Sequence, residues 1–206
     1  MQEGTLRLQL DEPEPAGHYR DTITRLEFGA TPMSEQGPGR AMDDETRARM
    51  RAAARRIDRV NEWLQVGAAV PPEDYDKLTD AGVTHVVDLR QDEEGIGDVT
   101  PMRDMGIERI QVPVPNGAAP VFEQLIQVAQ WFEGAEDSAT LFVHCGGGFG
   151  RAAVMSVALL VHEGAGVDAA IELLKEARPE IRLNEEQMAW LREVEVRLSE
   201  GRPDAG

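Results

Sequence analysis

The 206-residue chain has one cysteine, two lysines and no mainly apolar run longer than Ala152 to Val161. A single cysteine cannot close an internal disulfide or build a cysteine-rich metal site, which excludes a disulfide-stapled secreted fold and a zinc finger. The apolar run is far short of the ~20 residues that cross a bilayer, and Arg151 and His162 bound it. Met1 to Leu10 lacks a basic stretch followed by an apolar one, so the expected setting is soluble and cytoplasmic. Positive charge is scarce, with 21 Lys+Arg against 38 Asp+Glu and a net charge of −17. That balance argues against a general nucleic-acid or anionic-membrane binder, because such binding rests on Lys and Arg pairing with phosphate. An anionic ligand must be held by a local site. At 41% hydrophobic residues the chain can bury a real core. Its length suits one α/β domain of about 150 residues with an appendage.

Residues 1 to about 42 carry Pro13, Pro15, Pro32, Pro38 and several glycines with only short apolar stretches, a composition that favours irregular structure. The reading is an N-terminal extension over 1–56, with Leu6, Leu8 and Leu10 as one edge strand and a helix from Asp43 through Arg56. The extension is expected to pack beside the active site or dock a partner. A catalytic domain follows over 57–199 and a flexible tail over 200–206. Within the domain, strand signals at Trp63 to Val66, Val83 to Leu89, Ile107 to Val112 and Thr140 to Cys145 alternate with helical ones. The helical stretches are Pro72 to Ala81, Val121 to Glu133, Arg151 to His162, Asp168 to Ala177 and Asn184 to Leu198. This alternation predicts an α/β fold with a mainly parallel central sheet flanked by helices. Ligands in such sheets bind beyond the carboxyl ends of the strands.

The most informative segment runs from Leu141 through His144 and Cys145 to Arg151. A buried strand enters a loop with four glycines in five positions, Gly146, Gly147, Gly148 and Gly150 around Phe149, and a long apolar helix follows at once. Glycines let backbone N–H groups turn inward at the positive end of the helix and form an oxyanion cradle. The only cysteine stands at its mouth, and Arg151 is placed to bring a planar guanidinium fork to two phosphate oxygens. A helix N-terminus and a nearby cation lower thiol pKa values to about 3.5–7.5, so the pattern predicts a thiolate nucleophile beside a phosphate-sized anion hole.

His144 and Cys145 followed after five residues by Arg151 resemble the signature of the protein tyrosine and dual-specificity phosphatases. The glycine-rich interior resembles the small dual-specificity members. The likeness extends over roughly Ile57 to Leu198, with Leu64 to Gly67, Ala81 to Arg90, Gly106 to Pro115, Arg178-Pro179 and Gln187 in the family's order. The resemblance implies attack by Cys145 on phosphorus, a cysteinyl-phosphate intermediate, phosphoryl binding by Arg151 and hydrolysis by water, with no metal or cofactor. The implied substrate is a phosphorylated protein or a small phosphoester.

Two positions depart from that pattern. Asn116 stands where the family's general-acid aspartate is expected, and general acid catalysis is worth about 10²–10⁴-fold. Ala152 stands where a hydroxyl usually supports the thiolate, an interaction of roughly 1.5–3 kcal/mol. Three expectations follow. Another carboxylate from Asp92, Glu93, Glu94, Asp98 and Asp104 supplies the proton, with Asp98 the choice. Alternatively no acid is used and aryl phosphates such as phosphotyrosine are favoured, because a phenol leaves far more readily than an alkoxide. In the third, the protein is a pseudophosphatase that only binds phosphate.

Other readings remain for single residues. Cys145 alone would be a buried small hydrophobe. His144 is expected to orient the loop by hydrogen bonding. Asn116-Gly117 reads equally as a plain turn and as a substrate loop, and Phe149 as a plug or a pocket wall. His18, His85 and His162 receive no role, while Trp63, Trp131 and Trp190 are core anchors. A rhodanese-like sulfurtransferase also places a cysteine before an anion loop, but Arg151 and the Val112 to Pro115 segment favour the phosphatase. A nucleotide loop lacks its Gly-Lys-Ser/Thr motif here. A phosphoinositide phosphatase is disfavoured because the loop interior holds no Lys or Arg.

Overall fold

A computed structural model describes residues 43–200. The strand expected at Leu6 to Leu10, the rest of 1–42 and the tail after residue 200 lie outside the described residues. Helix α1 (Asp44–Ala53) starts on Asp43, whose side chain accepts the Thr46 N–H, with acids in its first turn and Arg51 in its last. It ends before Arg56, and Ala53 is fully buried.

The sheet contains β1 (Ile57–Arg59), β2 (Leu64–Ala68), β3 (His85–Asp88), β4 (Glu108–Gln111) and β5 (Leu141–Cys145), in the order β1-β2-β5-β3-β4. Four strands are parallel, as the sequence predicts. The fifth, β1, pairs antiparallel with β2 at the edge, and its three residues, two half-buried and one exposed, carry no alternation to read. Strand β5 is central. Its register sets Cys145 opposite Ala68 of β2, and His144 opposite Asp88 of β3, so three carboxyl ends meet at one rim.

Both faces are covered. Alternate residues of a strand point to opposite faces, so Val143 and Val87 join the larger core while Phe142 and Val86 join a smaller one with Tyr75, Leu78, Met102 and Ile107. The larger core forms around α5 (Arg151–His162), buried from Arg151 through Val161, and includes residues of α4 (Phe122–Glu133), α6 (Val167–Ala177) and α7 (Glu185–Glu200). A helix buried on every side must be apolar all round, which explains the unbroken run. Two short helices, α2 (Asp76–Asp80) and α3 (Thr100–Asp104), precede β3 and β4 and give Leu78 and Met102 to the smaller core. The helix expected from Pro72 is a 3₁₀ turn over Pro72–Asp74 followed by α2, since Pro71 and Pro72 bring no amide donors to its start. No helix among the described residues is long and apolar enough to cross a membrane.

Candidate active site

The strand-to-helix junction forms as the sequence predicts: β5 ends at Cys145 and α5 begins at Arg151. The Cys145 thiol is 4% exposed, and its Sγ accepts the Gly148 N–H at 3.2 Å. Gly148 is the geometric key to this turn. Its φ of +73° suits glycine, and a Cβ there would overlap the Gly67 backbone, so loop and β2 meet without a side chain between them. The Ala69 N–H donates to the Cys145 carbonyl at 2.8 Å and fastens the same junction.

Arg178 holds the loop from behind. Fully buried, it donates from Nε to the Gly148 carbonyl at 2.8 Å, from Nη2 to the Gly147 carbonyl at 3.3 Å and from Nη1 to Asp58 at 2.6 Å. Its guanidinium also lies 4.9 Å from the centre of the Phe149 ring. The sequence places Arg178 in the family's order but gives it no task, because a lone arginine before a proline carries no signal of its carbonyl partners.

Arg151 is turned inward. Its Nη1 donates to the Val114 carbonyl at 2.9 Å and to Glu94 Oε1 at 2.5 Å, while Nη2 donates to Glu94 Oε2 at 2.7 Å. The fork is therefore locked by a carboxylate. These hydrogen bonds hold the Glu94 carboxyl down to about 2 and raise the Arg151 pKa, chiefly through Glu94. Glu94 is one of the five acids of its loop. It ends a 3₁₀ turn, Asp92–Glu94, and its Oε1 accepts the Gln91 N–H at 3.0 Å.

A cavity of about 210 Å³ opens onto Cys145, Gly147, Phe149, Gly150 and Arg151, with Asn116, Gly117, Arg182, Asn184 and Gln187 completing its wall. Two segments are clasped together there. Asn184 Nδ2 donates to the Gly117 carbonyl at 2.7 Å, and Gln187 Nε2 donates to the Ala118 carbonyl at 3.0 Å. Asn116 is thus both part of a turn and part of the wall, and Phe149 is a wall. Gln187, which the commoner reading would leave on a helix surface, is buried in the clasp.

The structure does not bring Asp98 to this cavity. Its carboxylate accepts the Thr100 N–H at 2.9 Å on the exposed surface, and that bond lowers its pKa. Gly146 and Gly148 also stand outside the cavity wall. His144 is buried and stacked on Phe142, with ring centroids 5.4 Å apart. Burial holds its imidazole down to about 4 against the pull of Asp88, whose carboxylate lies 3.8 Å from Nε2. Burial alone would raise the Asp88 pKa, but Arg90 and Arg109 hydrogen-bond it and keep it well below the usual range.

Comparison with known proteins agrees with this geometry. Residues 63–202 match the family model described as PTP-SAK, Swiss Army Knife protein, DSP-PTPase phosphatase domain. The chain is 27% identical over 129 residues to phosphatidylglycerophosphate phosphatase PTPMT1 of Arabidopsis thaliana, covering 61% of this chain and 38% of that protein. It therefore spans little more than a third of that relative's length. The crystal structure of Tk-PTP in the active form superposes with a TM-score of 0.63 at 26% identity, over 68% of this chain and 97% of that one. Human DUSP28 does so with 0.61 at 27% identity, over 71% and 100%. These matches do not favour the sulfurtransferase. The glycine cradle, the inward arginine and a family match over most of the chain lead to one assignment: the protein belongs to the DSP-PTPase family of phosphatases.

Proposed function

We propose that the protein is a cysteine-dependent phosphomonoester hydrolase that favours aryl phosphates, phosphotyrosine among them. Cys145 Sγ attacks phosphorus, the ester P–O bond breaks, and a cysteinyl phosphate forms. Water then attacks that phosphorus, breaks the P–S bond and releases inorganic phosphate. Gly148 N–H supports the sulfur, and the loop amides with the Arg151 guanidinium support the equatorial oxygens. Glu94 acts as a positioning residue, since its two oxygens fix the plane of the guanidinium.

One observation carries the substrate preference: among the described residues, no Asp, Glu or His lines the cavity that opens onto Cys145. Asn116 has no acidic proton to give, and both Glu94 and Asp98 are held ionised. The leaving oxygen must then depart without help from a protein acid. A phenolate with pKa ~10 does so far more readily than an alkoxide.

The test is hydrolysis of p-nitrophenyl phosphate, a phosphotyrosine peptide and the matching phosphoserine peptide. The expected result is Cys145-dependent turnover of the first two and at least about 100-fold less of the third, the scale of a missing general acid. The pH profile of kcat should be the same in Asp98→Asn as in the wild type. Equal rates on phosphotyrosine and phosphoserine, or loss of the alkaline limb in Asp98→Asn, would overturn the preference.

A further inference from the structure

A second cleft, of about 290 Å³, lies at the far end of the sheet from Cys145. Trp63 and Ala139, which line it, stand just before β2 and β5, whereas Cys145 closes β5 at its other end. The five residues of β5, at about 3.3 Å each, separate the two sites. Trp63, Ala129, Phe132 and Leu159 make the cleft apolar. The Trp63 and Phe132 rings, with centroids 5.9 Å apart, pack against the larger core yet are only half-buried.

The rim of this cleft carries one sign of charge. Glu133, Glu136, Asp137 and Glu163 border it, and among the described residues no Lys or Arg does. Glu163 faces His162 at 3.6 Å, while the side chains of Glu133, Glu136 and Asp137 have no ion pair and no hydrogen bond among the described residues. The backbone adds to the same sign. Helix α4 ends at Glu133 and α5 at His162, so the negative ends of two helices meet at the cleft, and α4 has no basic residue in its last turn. Acids at such ends repel the helix dipoles, and a bound cation relieves that repulsion.

A metal ion does not suit the site, because among the described residues no three His, Cys, Asp or Glu are grouped to hold one. The volume falls just below the roughly 300–1,000 Å³ of pockets that enclose a whole small molecule, which suits one long side chain. Arginine matches both halves of the cleft. Its planar guanidinium stacks on aromatic faces and forks to carboxylates, and its apolar stem can lie along the wall. We infer that this cleft docks an arginine from a basic segment of a partner protein, with the guanidinium against Trp63 and Phe132 and paired with the acidic rim. The inference does not depend on the reaction at Cys145, since the cleft recruits rather than reacts.

Amide NMR titration of the full chain tests it with three capped hexapeptides of one sequence, carrying two arginines, two lysines or two citrullines. Citrulline keeps the shape of arginine without its charge. The arginine peptide should shift the amides of residues 133–139 and 159–163 and the Trp63 indole N–H. It should bind at least about tenfold more tightly than the citrulline peptide, the scale of one cation–π contact with one exposed ion pair, and the lysine peptide should fall between them. Glu136→Gln combined with Asp137→Asn, both exposed, should weaken arginine binding about three- to tenfold without lowering the melting temperature. Equal affinity for the arginine and citrulline peptides, or for arginine and lysine, would overturn the inference. So would shifts confined to other residues, or calcium chloride shifting these amides where the arginine peptide does not. A double variant that melts below the wild type would show that the acids serve the fold, and would overturn it as well.

Discussion

The loop 145–151 and the acidic loop 92–104 leave the sheet at the same rim, yet they are built in opposite ways. In the first, nearly everything chemical lies within seven consecutive residues, and the backbone is pinned through Gly148, Gly67 and Arg178. The second has five carboxylates of equal charge and similar surroundings, and only one of them turns inward. Asp92 accepts from Gln111, Asp98 caps Thr100, and Glu94 alone reaches Arg151. Charge and position on a loop do not select a functional acid. A partner across the fold does.

This contrast can be broken most severely at Arg178. Replacing it by leucine leaves two loop carbonyls unpaired in the interior and Asp58 with Arg56 as its remaining partner, so Arg178→Leu should cost about 3–5 kcal/mol in urea unfolding. A loss under about 1 kcal/mol would mean that the cradle stands without its buried support. Next comes Gly148→Ala. A positive φ and an overlap with Gly67 should lower stability by about 2–3 kcal/mol and abolish turnover, because the Sγ-supporting amide moves with the backbone. Preserved melting temperature and activity would show that the loop relaxes freely.

Glu94→Gln is the mildest of the three and sharpens the comparison most. It keeps the shape but weakens the charged fork, so kcat/KM should fall about tenfold, or 1.4 kcal/mol of barrier. Its pH signature is separate. The Glu94 carboxyl is depressed from 4.5 to about 2, so its contribution to stability is complete above 4.5 and is lost as pH falls towards 2. Unfolding midpoints measured through that window should slope less in Glu94→Gln than in the wild type. Identical slopes would dissociate Glu94 from Arg151 in solution.

Much of the fold was legible because its signals are local. Four parallel strands and the long helices announce themselves by short runs rich in Val and Ile and by helical periodicity, whereas β1 is too short to do so and the Pro72 stretch tightens into a 3₁₀ turn. The cradle was legible for the same reason, being contiguous from Cys145 to Arg151. Its supports were not. Glu94 lies 57 positions from Arg151, and Arg178 lies 30 from Gly148, so their roles exist only once the sheet has brought them together. Asp98 and Glu94 part on that point. Two acids four residues apart look alike until one meets a guanidinium and the other caps its own chain.

The proposed reaction turns on sulfur as the attacking atom. Rapid acid quench of the wild type with p-nitrophenyl phosphate, followed by intact mass and peptide mapping, should find one phosphoryl group on Cys145 during turnover and none in Cys145→Ser. Turnover that persists in Cys145→Ser, or a phosphoryl group on any other residue, would contradict it.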